Sequence, residues 1–330
     1  MRRRVIATGG IAAAVFAATA TVSVWGQAGP PALVITAYNG GAPIPYTVAR
    51  TPWGDPDLQG VWSSDDTGGI PTSRPQALGD TLYQSDEQFA ARQKQIENGV
   101  KNAENAIGSF RGDFARRAFR QTSIVVDPPD GRTPAFTPGA EKRRAPRDQG
   151  TFGNGPFEST EDFTLYDRCI TRGIVGSILP VVYGNGNRIL QTPGQVVISY
   201  EMVHDTRVIY TDGRPHLSSK IRQLLGDSRG HWEGNTLVVD VTNNNDRTWW
   251  DVVGSFHSNG LHIAERYTFI DADTINYEAT FEDPKVFVRP FKMALLFKRN
   301  NEEGRELMEF ACREGQESQH IMQMLRRNVR

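Results

Sequence analysis

The sequence predicts a mainly β chain, folded as an antiparallel up-and-down barrel with a helical insertion. Three observations carry that prediction. Glycine and proline supply 32 and 19 of the 330 residues, more turn punctuation than a helical bundle uses. The second half of the chain reads as successive hairpins, with turn residues between strand-like runs. No helical pattern alternates with those strands, which argues for antiparallel pairing. Antiparallel strands that hide their edges close into a barrel.

In chain order, the first element is an export signal. Arg2, Arg3 and Arg4 precede a soft apolar run from Val5 to Trp25, then the small-residue stretch Gly26-Gln27-Ala28. This is the charge, apolar core and cleavage-site order of a secretory leader, with the cut expected after Ala28. The adjacent arginines also suit the twin-arginine route. The alternative is an uncleaved anchor, but Gly9, Gly10 and several Thr and Ala residues dilute the run. Residues 1–28 are therefore read as the signal and the destination as periplasmic or secreted. No other apolar run is long enough to cross a bilayer, so no membrane contact is expected after cleavage.

Residues 29–50 read as a linker rich in proline and glycine. The barrel domain is expected over 51–330, with a helical and irregular insertion at 85–148. A first strand lies near Gln59–Ser63. The clearest helix covers 85–107: Ser85 and Gln88 form a capping box, Phe89, Ile96, Val100, Ala103 and Ile107 keep a helical period, and Gly108 ends it. From Arg111 to Asp148 the chain is polar and reads as a solvated excursion. Leu217–Leu225 has a possible helical pattern. Strands are expected over Val196–Tyr210 and around a Gly234-Asn235 turn. Further strands are Leu261–Ile270 with Thr274–Asp283, and Lys292–Lys298 with Glu306–Cys312.

Centring the Leu261–Asp283 hairpin on Asp271–Asp273 sets its register. Tyr267 faces Tyr277, Glu265 faces Ala279 and Ile263 faces Phe281. The other surface pairs Arg266 with Glu278 and His262 with Glu282. With a two-residue alternation, Ile263, Tyr267, Phe269, Ile275, Tyr277, Ala279 and Phe281 share an apolar face with Glu265 in its middle. A carboxylate there is expected to have a raised pKa and to need a partner. Either it is a general acid or base, or it is an interior carboxylate satisfied by an arginine.

Glu201-Met202-Val203-His204 has a spacing that binds di-iron on a helix, but its surroundings are strand-like, which excludes that chemistry. On a strand, Tyr200, Met202 and His204 line one face, with Arg207 close by. Gly226-Asp227-Ser228-Arg229-Gly230 matches the Gly-x-Ser-x-Gly of serine hydrolases. That chemistry needs a strand before Ser228 and a helix after it, and the alternative is a polar loop with an Asp–Arg contact. Trp249-Trp250 is a loop anchor or a ring-stacking rim. No metal spacing, phosphate loop or dinucleotide fingerprint is present, so no cofactor is expected.

A net charge of −1 excludes a general polyanion binder, and no nucleic-acid partner is expected. Cys169 and Cys312 are the two cysteines. In an oxidising compartment they are expected to pair, closing a long loop that contributes about 5 kcal/mol in the chain-entropy picture.

Several stretches together resemble a large group of exported bacterial proteins to which no reaction is assigned. They are Thr51-Pro52-Trp53-Gly54-Asp55-Pro56-Asp57-Leu58-Gln59-Gly60-Val61-Trp62, Asp212-Gly213-Arg214-Pro215-His216, Gly226 through Val239, Glu265-Arg266-Tyr267 and Ala311-Cys312-Arg313-Glu314-Gly315. Asn235 and Arg313 depart from that pattern, standing where an acid and a histidine are expected. Gly60-Val61-Trp62 also resembles the start of a lipocalin-type barrel, which implies a calycin-like fold.

The leading functional expectation is a barrel that takes up a small, largely apolar or aromatic molecule. It would act by cofactor-free acid–base chemistry of the isomerase, lyase or cyclase type. Glu265 would be the acid or base, His204 its counterpart, and Arg207 the group holding developing negative charge. Tyr200, Met202, His262, Tyr267 and Trp249 would line the ligand site. The alternatives are a non-catalytic carrier of the same ligand class and a serine hydrolase using Ser228.

Overall fold

A computed structural model describes residues 46–107, 117–144, 163–181, 184–251, 255–301 and 306–310. Among the described residues ten strands form one sheet: β1 (Gly60–Ser63), β2 (Val125–Asp127), β3 (Gly186–Thr192), β4 (Gln195–Tyr200), β5 (Thr206–Tyr210), β6 (Asp227–Glu233), β7 (Thr236–Thr242), β8 (His262–Asp271), β9 (Thr274–Glu282) and β10 (Phe291–Arg299). Their order is β1-β3-β4-β5-β6-β7-β8-β9-β10, and β10 returns to β1 through Trp62 opposite Arg299 and Ser63 opposite Lys298. The ring is closed, and β2 takes the other end of the same β10 edge, at Lys292 and Met293.

Nine strands in a closed ring cannot all be antiparallel to their neighbours, because directions alternating around an odd ring clash once. The clash falls between β5 and β6, which run parallel and share a single register pair, Tyr210 with Arg229. All other neighbours in the ring are antiparallel. The mainly β barrel is as expected. The strictly up-and-down order is corrected by this seam.

The β8–β9 register matches the hairpin arithmetic from His262–Glu282 to Phe269–Ile275, with a bulge between Phe269 and Asp271. The β6–β7 hairpin turns at Gly234-Asn235, with Glu233 opposite Thr236. Alternation sends Ile263, Glu265, Tyr267, Tyr277, Ala279 and Phe281 into the core. Phe281 stacks on Phe291 at 4.6 Å, and Trp250 packs against both rings. Tyr267 and Tyr277 meet at 4.9 Å. The Trp62 indole donates to the Leu58 carbonyl at 2.8 Å, and the Arg299 guanidinium lies 4.2 Å over its ring.

Helix α1 spans Asp86–Ile107, and its capping box forms reciprocally: Ser85 N–H to Gln88 Oε1 at 3.0 Å, Gln88 N–H to Ser85 Oγ at 3.2 Å. The polar stretch after it holds two elements the sequence reading passed over, β2 and helix α2 (Pro138–Arg144). Helix α2 starts on a Thr137 cap, whose Oγ1 accepts from the Ala140 amide at 3.2 Å, followed by Pro138 in the first turn.

Four local expectations are corrected. Val196–Tyr210 is not one strand: a short 3-10 turn, Met202–His204, separates β4 from β5, with Val203 and His204 at φ 66° and 43°. Leu217–Leu225 is not helical, and Glu306–Phe310 is not a strand. Arg266 stands opposite Glu278 as the register predicts, but its guanidinium pairs with Glu233 at 2.9 Å instead of forming the cross-strand ion pair with the buried Glu278. The signal at 1–28 and the greater part of the 29–50 linker lie outside the described residues. So does Cys312, and with it the Cys169–Cys312 bridge.

Candidate functional site

The seam determines where the barrel wall opens. Because β6 runs in the same direction as β5, the chain must travel back between them, and residues 211–226 make that return. With one register pair holding the two strands, a cleft of about 670 Å³ lies along the seam. Its walls include Thr206, Arg207 and Val208 from β5, Ser228 and Arg229 from β6, and Leu217 and Leu225 from the return segment. That volume falls within the range of small-molecule sites, roughly 300–1,000 Å³.

Arg207 and Ser228, both buried, form the floor. The Arg207 Nε donates to Ser228 Oγ at 2.9 Å. Its Nη1 donates to Glu265 Oε1 at 3.0 Å, and Nη2 bonds Glu265 Oε2. Tyr277 and Tyr267 hydroxyls add donations to Glu265 Oε1 at 2.8 and 3.3 Å. Arg207 and Glu265 thus form a bidentate, fully buried ion pair behind the cleft. Burial alone would lower the Arg207 pKa, but Glu265 outweighs it and holds the guanidinium well above its ordinary value. Burial pushes the Tyr200 hydroxyl up to about 12, and it raises Tyr267 and Tyr277 well above the usual phenol range, with the Glu265 charge adding to it. Tyr267 and Tyr277 stay neutral donors to Glu265.

The rim mixes charge and apolar surface. Arg229 pairs with Asp227 at 2.6 Å and donates to the Pro215 carbonyl at 2.9 Å. Arg214 and Arg229 both lie over the Tyr210 ring, at 4.1 and 5.2 Å. Ile170, Val208 and Leu217 are 39, 37 and 41% exposed at the mouth. Asp205 also lines the cleft, and burial raises its carboxyl pKa against opposing hydrogen bonds from Thr171 and the Thr206 amide. Outside the cleft a chain of charges leads across the barrel. His216 sets Nδ1 2.9 Å from Asp227 and Nε2 2.8 Å from Asp240, Asp240 also bonds His262, and His262 lies 3.7 Å from Glu282.

The structure brings together Glu265, Arg207 and Tyr267 as the sequence suggested, and adds Ser228 to them. Both Glu265 oxygens are taken by protein donors, and Glu265 does not line the cleft. His204 is not brought to it: its Nε2 lies 2.9 Å from the Phe310 carbonyl, on the 3-10 turn. Tyr200, Met202 and His204 do not share a strand face, because β4 ends at Tyr200. Met202 is buried in that turn, where its sulfur accepts from the Tyr166 hydroxyl at 3.2 Å. His262 sits on the outer surface with Asp240. Trp249 borders a separate void of about 20 Å³ beside Tyr166 and Arg172, too small for an organic ligand.

The Gly-x-Ser-x-Gly match has a different physical basis from a nucleophile elbow. Ser228 lies within β6, opposite Val241, with no helix following. Gly226 adopts φ 62°, and a Cβ there would sit 2.6 Å from the Thr242 carbonyl oxygen. At Gly230 a Cβ would come 2.8 Å from Ile209. Gly226 answers crowding by the β7 backbone and Gly230 crowding by side chains of β5 and β7, and the expected Asp–Arg contact is the Asp227–Arg229 pair. The sequence reading missed Asp205, Tyr210, Arg214 and Arg229 as cleft residues. The signal available was the Asp212–His216 stretch lying so close before Asp227–Arg229.

No family model matches the chain, and no curated protein matches it. Among solved structures, a mutant of the fluorescent protein UnaG aligns over 42% of this chain and 86% of its own, with 10% identity and a TM-score of 0.22. A likeness of that size carries no argument here.

Proposed function

We propose that this protein binds a small molecule with an apolar body in the β5–β6 cleft, as an exported carrier or scavenger. One observation supports this above the others: where the barrel's backbone pairing lapses, the space is a cleft of ligand size with an apolar mouth and a polar floor. Proton transfer at Glu265 is not favoured, because Arg207, Tyr267 and Tyr277 already occupy its carboxylate.

The test is a fluorescence titration with phenylnaphthylamine, an uncharged apolar probe. Binding is expected in the parent protein and is expected to fall at least several-fold in Val208→Asp and Leu217→Asp. Both residues are exposed, so neither change should unfold the barrel. Unchanged binding in both variants would remove the cleft from consideration.

A second reading is acid–base turnover of the bound molecule, in an isomerisation or elimination. Asp205 supports it, as a cleft carboxyl with a burial-raised pKa. Product formation that disappears in Asp205→Asn while probe binding persists would establish turnover. Export with removal of residues 1–28, and a Cys169–Cys312 bridge formed after it, belong to the same proposal. The N-terminal sequence and the thiol titre of the purified protein check them.

A further inference from the structure

We infer that the cleft selects an organic anion, an apolar body carrying a carboxylate or sulfonate that is received at the floor by Ser228 and Arg207. This rests on the cleft being the ligand site, and it names what that ligand must carry.

Hydrogen-bond capacity is the first ground. The Ser228 oxygen already accepts from Arg207 Nε, and among the described residues no acceptor takes the Ser228 proton. A guanidinium carries five N–H donors. Three of those on Arg207 serve Ser228 and Glu265. The Ser228 hydroxyl is therefore the open donor of the buried floor, and a carboxylate or sulfonate oxygen supplies its acceptor with charge assistance.

The acids around the cleft are the second ground. Asp227 is spent: Arg229 holds Oδ1, and His216 with the Leu217 amide hold Oδ2. Asp205 is the acid that opposes an incoming anion, and it stands beside the Thr206 amide rather than at the Ser228 floor. Three arginines, 207, 214 and 229, line the same space, paired with Glu265, Asp212 and Asp227 in turn, and at the mouth Arg214 and Arg229 stack on Tyr210, so an anion is received by guanidinium N–H groups beyond those pairs. The remaining walls, Ile170, Val208, Leu217 and Leu225, suit the apolar body.

Two probes that share one ring skeleton test this: anilinonaphthalene sulfonate, an anion, and phenylnaphthylamine, which lacks the sulfonate. The parent protein is expected to bind the sulfonate more tightly. Ser228→Ala should weaken the sulfonate about tenfold more than it weakens the neutral probe, the worth of one charge-assisted hydrogen bond. Arg214→Gln, at an exposed rim position, should weaken the sulfonate without touching the fold, and thermal melting of each variant checks this. Equal affinity for the two probes in the parent overturns anion selection while leaving the cleft as the ligand site. Equal weakening of both probes in Ser228→Ala, with Arg214→Gln silent, also overturns it. Binding of neither probe removes the cleft reading and this one together.

Discussion

In its geometry Glu265 matches an interior carboxylate held by an arginine, one of the two readings the sequence holds open for it. Its inward direction follows from the two-residue alternation and the hairpin register, both visible in the chain. An arginine partner is expected and Arg207 is placed at the same site, but their direct pairing does not follow from the hairpin register, because Arg207 reaches Glu265 from β5, a strand that is not its neighbour in the ring. Glu265→Gln is expected to cost about 3–5 kcal/mol, since it leaves the buried Arg207 charge uncompensated. Urea unfolding measures the loss, and the paired change Glu265→Leu with Arg207→Met should cost less than the two single changes summed. His262 gives a pH prediction. Its hydrogen bond to Asp240 raises its pKa in the folded state against the opposing effect of burial. A raised pKa means that this stabilisation is complete below the unfolded value of about 6.5 and fades as pH rises through the folded value. Stability measured from pH 5 upward should decline over that window, and His262→Gln should flatten the decline.

Elements with strong local signals were readable, and those set by distant contacts were not. Helix α1 announces itself through the Ser85–Gln88 box, and Ser85→Ala should cost about 1 kcal/mol by thermal melting. The β4–β5 break is silent in sequence. A β-branched valine rarely takes a left-handed φ, yet Val203 does so at 66°. What holds that turn is long-range. Buried Glu201 accepts the Gly186 amide at 3.0 Å and the Met308 amide at 2.7 Å, while His204 meets the Phe310 carbonyl. The Glu-x-x-His spacing is thus a clamp that ties residues 306–310 to the barrel, with the Arg188–Glu306 pair beside it. Glu201→Ala should release this strap, read as faster amide exchange and earlier proteolysis at 306–310, with β8–β9 protection unchanged.

At the scale of the whole molecule, barrel closure followed from hairpin spacing, but the strand count did not. The expected strands include β1 but not β3, Gly186–Thr192, and take 306–310 for a strand that is absent, so the odd ring was not countable. An odd ring must contain a parallel contact, and that contact became both the weak link and the cleft. Hydrogen exchange should therefore be fastest, within the sheet, at the facing amides of β5 and β6, and slowest where β8, β9 and β10 pair along their full lengths. A bound ligand should slow the seam first. The same seam bears on how chains of this protein meet one another. Parting it would turn the ring into an open sheet with two fresh edges, β5 and β6, each able to recruit a strand from another copy. The Arg207–Ser228 bond spans those edges, so this side-chain bridge guards against strand exchange between molecules as well as forming the floor of the cleft.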